Sequence, residues 1–584
     1  MKEATGNHED NEMIEPEDMN EKKANDFNKY FATIGKKLQE KLGIASTEPD
    51  MTNTTQEGFS FHEESEETIS KLIDRIRTDV ATGYCTISAR ILKDAKPAIL
   101  TPLTQLVNIS FETSTFPQKM KTAIVKPIFK NKGTEEDPQY YRPLSILSVI
   151  SKIFERAATD QIVLYLETLN LLFQNQHAYR KNHSTATSLT QLSEHIHTEM
   201  EKGNLVGIAS LDLSKAFDTI DHNILLRKLD DLHFNKEVMT WIKSYLTNRN
   251  QRTKFTNYIS EEEIVQAGVP QGSILGPILF ILFTHDFQQE LNLPNIHITA
   301  YADDTQLVAS GKTYMEIKEK LEKAILEATN WYTKNSLCIN AGKSEILVIG
   351  TQRKLNKEGK LPNLQVQEGN EVKELKVQEN IKILGVYIDK NLNWSKQVDN
   401  VKRKAYLATK NMLRVKDILS TEARRKLYDS MITPHFNYCD IVWSGCTKQK
   451  ANELQRIQNI AAKAIVNRKE TTSNQALKEL KLLPLQHKRE IHTAVMVYKT
   501  LEGRAPIPQI HDIRNCLPQH TYSTRATTQN TFIYKKHKHS KNENSTIYKA
   551  TRIWNKIPIN IRNQDTQVKF KNTLQAYITQ QQYN

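Results

Sequence analysis

The string Tyr301-Ala302-Asp303-Asp304 lies between Ile296-His297-Ile298-Thr299-Ala300 and Thr305-Gln306-Leu307-Val308-Ala309. The upstream flank alternates in the manner of a half-buried strand and the downstream flank is β-prone. The stretch therefore predicts strand, tight turn, strand, with two adjacent carboxylates at the turn. Side-by-side carboxylates repel, and burying them uncompensated is costly. A divalent cation is the usual compensation, and two cations ~3.5–4 Å apart are the machinery of phosphoryl and nucleotidyl transfer. Taken alone, the dipeptide reads far more readily as an ordinary polar turn. The rest of the chain decides between the two.

A second acidic site lies upstream. Leu205-Val206-Gly207-Ile208-Ala209-Ser210-Leu211-Asp212-Leu213 is an apolar run with a carboxylate near its end, as in a buried central strand. The run continues through Ser214-Lys215-Ala216-Phe217-Asp218-Thr219-Ile220-Asp221-His222, which reads as a turn into a helix. Delivered next to the hairpin, Asp212 would complete a three-carboxylate cage of hard oxygen donors. A helix N-cap is the other reading of that Asp. Between the acidic sites, Gly268-Val269-Pro270-Gln271-Gly272-Ser273-Ile274-Leu275-Gly276-Pro277 precedes the apolar Ile278 to Phe283. Such a string predicts a loop entering a buried helix, with glycines that let backbone and an amide side chain approach a sugar or base.

At 584 residues the chain has room for roughly two to four domains. Its net charge of +13 favours a polyanionic partner. Cys85, Cys338, Cys439, Cys446 and Cys516 are scattered and lack C-x-x-C pairing, which argues for a reducing compartment and against a structural zinc site. The N-terminus carries no secretory apolar segment, and the run Ile274 to Phe283 is too short to span a bilayer. The expectation is an intracellular protein, cytoplasmic or nuclear, neither secreted nor membrane-bound. The stretch Tyr534-Lys535-Lys536-His537-Lys538 is a weak nuclear signal at best, and His537-Lys538-His539 reads as a polar basic stretch and not a zinc knuckle.

Asp212 with Phe217, the Gly268–Pro277 string and Tyr301-Ala302-Asp303-Asp304 resemble, in order, motifs A, B and C of reverse transcriptases. The flanks are most similar to non-LTR, LINE-type retrotransposon enzymes of the jockey-like branch. Further strings join the resemblance. Ala123 to Lys130 and Tyr140-Tyr141-Arg142-Pro143-Leu144-Ser145 resemble the family's fingers segment. Gln176-His177-Ala178-Tyr179-Arg180 resembles the next fingers motif, with Ala178 where glycine is usual. Leu337 to Glu345 resembles motif D, and Ile383-Leu384-Gly385-Val386 the primer-grip hairpin. The strings Leu454 to Asn459 and Trp554-Asn555-Lys556-Ile557-Pro558 match family wording without an evident mechanism.

The resemblance implies an α+β fold: a right-hand polymerase with fingers, an antiparallel-sheet palm and a helical thumb, plus a mainly helical C-terminal region. Implied boundaries are an acidic, largely disordered connector with one helix near Ala24 to Leu42 (1–70), a helical pre-fingers region (71–109), the polymerase domain (110–388), a basic helical thumb (389–470) and a basic C-terminal region of unassigned role (471–584). The implied activity is RNA-directed DNA synthesis on a primer 3′-OH. Asp212, Asp303, Asp304 and the Leu213 carbonyl would hold two Mg²⁺ ions, with Mn²⁺ as a substitute, and Lys343 would protonate or steady departing pyrophosphate. Lys130 and Arg142 would clamp the triphosphate, Gln271 and Gly272 line the nucleotide pocket, and Phe217 crowds a ribose 2′-OH. Leu384 and Gly385 would form the primer grip.

Implied partners are an RNA template, a DNA primer or target DNA, and deoxynucleoside triphosphates. In the thumb, Lys402, Arg403, Lys404, Lys410, Arg414 and Lys416, then Arg424, Arg425 and Lys426, suit a duplex backbone or, equally, a solvated helix face. Two departures stand out. The family's N-terminal endonuclease is not represented, which would make an endonuclease in trans a further partner. Cys85 occupies a position where the family usually carries Asp. The competing reading is a catalytically idle nucleic-acid-binding remnant of such an element.

Overall fold

In the computed structural model, the described residues are 17–43, 58–291, 293–359, 362–368, 371–504, 532 and 545–583. The acidic start, the Thr54–Glu57 stretch and the basic Tyr534–Lys538 stretch lie outside them. Among the described residues no helix is long and apolar enough to cross a membrane.

The architecture is α+β. Its central sheet has the order Val377–Gln378, Glu345–Ile349, Leu205–Leu211, Asp304–Gly311, Ile296–Tyr301. All neighbours are antiparallel except Val377–Gln378, which runs parallel to Glu345–Ile349. Leu205–Leu211 is the middle strand, and it is covered on both faces, which explains its near-continuous apolar sequence. The Ile296–Tyr301/Asp304–Gly311 hairpin forms where alternation predicts it, in a register that opposes Tyr301 and Asp304. Ala302 and Asp303 are therefore the turn, and Asp304 is already the first residue of the returning strand.

A second sheet pairs Tyr141–Ile146 with Thr122–Phe129 antiparallel, and Thr122–Phe129 with Arg249–Phe255 parallel. The short strands Tyr258–Ile259 and Glu263–Val265 extend it. The N-terminal helix, Glu17–Leu42, packs on this sheet. Phe27 and Phe31 form a small core with Val125 and Tyr141. The Asn28 amide donates to the carbonyls of Gln251 and Glu261. At Gly35 an added Cβ would overlap the carbonyl oxygen of Asp218, so the helix touches the turn after Asp212 backbone to backbone.

The helix expected within the 1–70 connector is present among the described residues. The helix begins at Glu17 and is part of the core, and Phe59 is buried beside Phe234. Glu66 and Glu67 fall in the first turn of helix Glu66–Arg75, capped by Ser65, where acidic side chains suit the helix dipole.

One hydrophobic cluster unites Phe59, Leu72, Phe116 and Trp241 with one face of the central sheet through Leu211 and Ile346. Another begins on helix Thr185–Glu201, crosses the opposite face at Ile208 and Val308, and runs through helices Ser395–Val415, Lys448–Val466 and Leu485–Leu501 to Trp554 and Phe570. The expected division between 389–470 and 471–584 is thus not a core boundary, because Leu454, Leu483 and Trp554 share one interior.

Candidate active site

The central sheet ends at one edge in three carboxylates. Asp212 follows the middle strand, Asp303 occupies the hairpin turn, and Asp304 starts the adjoining strand, whose Thr305 pairs with Leu211. Burial pushes the Asp303 carboxyl up, and Asp212 adds to the shift, while Arg142 and Lys343 oppose it. Asp304 is pushed up to about 6, first by burial and then by Asp303 and Asp212. The three groups therefore feel one another as like charges in a partly desolvated place.

Lys343 meets them. Its Nζ lies 3.1 Å from Asp212 Oδ2. The same two segments are tied by the Asp212 amide donating to Ser344 Oγ at 3.1 Å and the Asn340 amide donating to the Asp212 carbonyl at 2.8 Å. Ser214 N donates in turn to the Cys338 carbonyl, so the bridge opposite Ile339 leaves the Leu213 carbonyl out of both bonds. Among the described residues no three His, Cys, Asp or Glu side chains converge as a ready metal site. The donor set itself, carboxylates with a free carbonyl nearby, is the oxygen-only chemistry that hard divalent cations take.

Positive charge gathers around the acids. Lys130 is pushed down to about 8, by burial first and then by Lys215, Lys343 and Arg142. Its ammonium donates to the Gln139 carbonyl at 2.9 Å. Arg142 stands opposite Ile128 in the antiparallel ladder that carries Lys130 just beyond its end. Two charged residues of the turn after Asp212, Lys215 and Asp218, join the site although the motif resemblance assigns them no role. Lys215 Nζ and Asp218 Oδ2 are buried without hydrogen-bond partners, and the Lys215 ammonium lies 5.5 Å from the centre of the Tyr30 ring. An apolar run followed by Lys and Asp three positions apart is the signal that would have marked them.

The glycine-rich loop packs against both segments. Gln271 Nε2 donates to Asp218 Oδ1 at 2.7 Å, and the Gln271 carbonyl accepts from the Ser145 amide at 2.8 Å. Gly272 has φ +121°, and an added Cβ would meet the Ser145 carbonyl oxygen at 2.6 Å, so a side chain there is excluded twice over. The Phe217 ring stacks on Phe280 with centroids 4.7 Å apart, fixed by the helix Gly276–Phe283 that the loop enters. Cys85 Sγ lies 3.0 Å from Ser148 Oγ, at the cap of helix Val149–Thr168.

Leu384 and Gly385 belong to a different, two-stranded ribbon, Asn380–Ile383 with Val386–Asp389. Both turn residues have positive φ, and the Tyr438 hydroxyl donates to the Leu384 carbonyl at 2.7 Å. The basic residues farther on divide into three groups. Arg403, Lys404, Lys410 and Arg414 are exposed. Arg424 is buried and donates to the carbonyls of Ile465 and Leu419, so it holds helices together and is no backbone contact for a duplex. Lys402 pairs with Glu453, Arg425 with Asp429 and Lys426 with Glu422.

Comparison with known proteins agrees with this arrangement. Residues 128–388 match the model of the family described as reverse transcriptase (RNA-dependent DNA polymerase). The chain is 27% identical over 402 residues to the probable RNA-directed DNA polymerase from transposon X-element of Drosophila melanogaster, covering 68% of this chain and 43% of that protein. It is 26% identical over 415 residues to the corresponding protein from transposon BS of the same organism, covering 69% and 44%. To the RNA-directed DNA polymerase from mobile element jockey of Drosophila melanogaster it is 25% identical over 400 residues, covering 67% and 43%. The matches thus span less than half the length of each of these relatives. Residues 128–388 thus match a reverse transcriptase domain, and about two thirds of the chain is similar to the polymerases of these three mobile elements.

Proposed function

We propose that this chain is an RNA-directed DNA polymerase that extends a primer 3′-OH with deoxynucleotides. In this reading residues 110–388 form fingers and palm, with the central sheet as the palm, and the helices from Ser395 onward act as the thumb. The observation that carries it is the meeting of Asp212, Asp303 and Asp304 at one sheet edge, ringed by Lys343, Lys130 and Arg142.

Divalent cations, a pair of Mg²⁺ or Mn²⁺, would supply the Lewis acidity that lowers the pKa of the 3′-OH and neutralises charge in an in-line displacement. Asp212, Asp303, Asp304 and the Leu213 carbonyl would hold them. The primer oxygen bonds to the α-phosphorus as the bond to pyrophosphate breaks. Lys130 and Arg142 bind the triphosphate through charge-assisted hydrogen bonds. Lys343, drawn from Asp212, gives a proton to the departing pyrophosphate oxygen or steadies its charge. Phe217, stiffened by Phe280, excludes a 2′-OH, and Gln271 with Gly272 closes the sugar side of the pocket. Leu384 and Gly385 hold the primer strand. The RNA template is read by base pairing, and the protein contacts its backbone.

Primer extension on an RNA template with Mg²⁺ and deoxynucleotides, comparing wild type with Asp303→Asn, tests the reading. Extension by wild type alone is expected. Retained RNA binding with no extension by either protein would instead identify an idle nucleic-acid-binding remnant.

A further inference from the structure

Gln176 touches the turn that carries Asp303. Its Oε1 accepts two backbone hydrogen bonds, from the Ala302 amide at 3.0 Å and from the Ala178 amide at 3.0 Å. Ala302 has φ +55° and is buried, and it lies at the end of the hairpin ladder, where the pairing of Tyr301 with Asp304 gives its N–H no strand acceptor. A buried N–H must find a partner, and here the partner is one side-chain oxygen. Gln176 is itself 3% exposed.

The segment bearing Gln176 is fixed independently of that contact. The His177 amide donates to the Ala300 carbonyl, and the Ala300 amide to the Asn175 carbonyl, each at 3.0 Å, so residues 175–177 add a short parallel edge to the Ile296–Tyr301 strand. Asn175 Nδ2 donates to the Ile298 carbonyl, and Gln191 Nε2 donates to Asn175 Oδ1. That leaves Gln191 Oε1 as the acceptor for the His177 ring, whose Nε2 must carry the proton. Burial pushes the His177 ring down to about 4, so it stays neutral and the relay holds its polarity at neutral pH. Helix Thr185–Glu201 thus reaches the catalytic turn through Gln191, Asn175 and the 175–178 backbone.

We propose that Gln176 is a positioning residue for the Asp303 turn, its side-chain oxygen holding Ala302 in the left-handed conformation that presents Asp303 beside Asp212. The inference rests on the proposed polymerase reading for its effect on turnover, but its geometric part does not. Displacement of a reacting group by about 1 Å from its working position lowers rates on the order of 100-fold. The residue acts through Ala302 and touches no reacting atom, so it belongs with the supports of the site.

The test compares Gln176→Met, similar in length but lacking the acceptor, with Gln176→Glu, which keeps an acceptor oxygen for both amides. The methionine variant should lose about 10- to 100-fold in kcat, require more Mg²⁺ for half-maximal rate, and keep its primer–template Kd within about twofold, because the basic contacts are untouched. The glutamate variant should recover most of the turnover. Amide exchange gives a readout that needs no activity: faster exchange is expected in peptides over 300–304 of the methionine variant, with 205–211 unchanged. Wild-type extension in the same assay tests the polymerase reading separately. A methionine variant with wild-type exchange over 300–304 overturns the proposal, as do methionine and glutamate variants impaired alike. Should the methionine variant fail to fold, the glutamate variant decides, since it must then fold and keep protection over 300–304.

Discussion

The ammonium of Lys343 lies 3.1 Å from Oδ2 of Asp212, joining residues from two neighbouring strands' ends into one ion pair. Half of that pair is expected to bind metal and half to meet pyrophosphate, so a single contact links the two ends of the reaction. Replacing Lys343 by Met should lower the single-turnover incorporation rate by about 10²- to 10⁴-fold, the usual range for a lost general acid. Primer–template binding should change little. A rate within twofold of wild type would remove Lys343 from the chemistry.

Asp303→Asn removes one charge from the carboxylate group and leaves the exposed Arg403, Lys404, Lys410 and Arg414 intact. Loss of several kcal/mol of transition-state stabilisation corresponds to a fall of about a thousandfold or more in extension. Filter binding should give an unchanged affinity for RNA. Equal extension by mutant and wild type would sink the metal assignment.

The pH dependence of stability follows from Asp304. Folding raises its carboxyl to about 6, so the folded state favours the protonated form. Its contribution is therefore fully favourable below the unfolded pKa of about 3.9 and is lost as pH rises through the folded value. In metal-free buffer Tm should decline as pH goes from 4 to about 7. Asp304→Asn should flatten that decline and melt a few degrees higher at neutral pH while abolishing extension. At limiting Mg²⁺, wild-type activity should fall as the pH is lowered, because protons and the cation compete for the same carboxylates.

Phe217 owes its rigidity to the stack on Phe280. Truncation to Val opens space beside the sugar, and ribonucleotide incorporation relative to deoxynucleotide should rise at least about tenfold. Competition between the two nucleotide classes on one primer–template measures it. Unchanged discrimination would take the gate away from Phe217.

RNA binding should weaken steeply with salt, and the structure sorts which arginines carry the effect. Arg403→Ala, at an exposed site, should reduce the slope of log K against log salt by about 1. Arg424→Ala should instead lower Tm, because it leaves the carbonyls of Ile465 and Leu419 without their donor. Titrations at several salt concentrations, with melting curves alongside, separate the two.

Local pattern made the hairpin and the middle strand legible: alternation marks Ile296–Tyr301, and a continuous apolar run marks Leu205–Leu211 as covered on both faces. The helix Gly276–Phe283 was legible for the same reason. What was hidden depends on contacts between distant segments. Nothing near Gln176 announces that its amide oxygen serves Ala302, 126 residues away. Arg424 looks like its basic neighbours until Lys448–Val466 packs against its face. The acidic run at Glu63 to Glu67 resembles a linker by composition, and only Ser65 as a cap reveals a helix start. The ion pair between Lys343 and Asp212 was likewise invisible, since the two are 131 residues apart.

The helix Glu17–Leu42 also sets a timetable. It leaves the ribosome first among the described elements, yet the Asn28 amide finds its acceptor at Gln251, 223 residues later. At roughly 5–20 residues per second that interval is on the order of 10–45 s. Phe27 and Phe31 wait for Val125 and Tyr141, Gly35 waits for the turn at Asp218, and Asn28 waits longest, for Gln251 and Glu261. This side of the candidate site therefore closes late, from a wall made early, and the nascent chain must keep that wall from sticking to anything else while it waits.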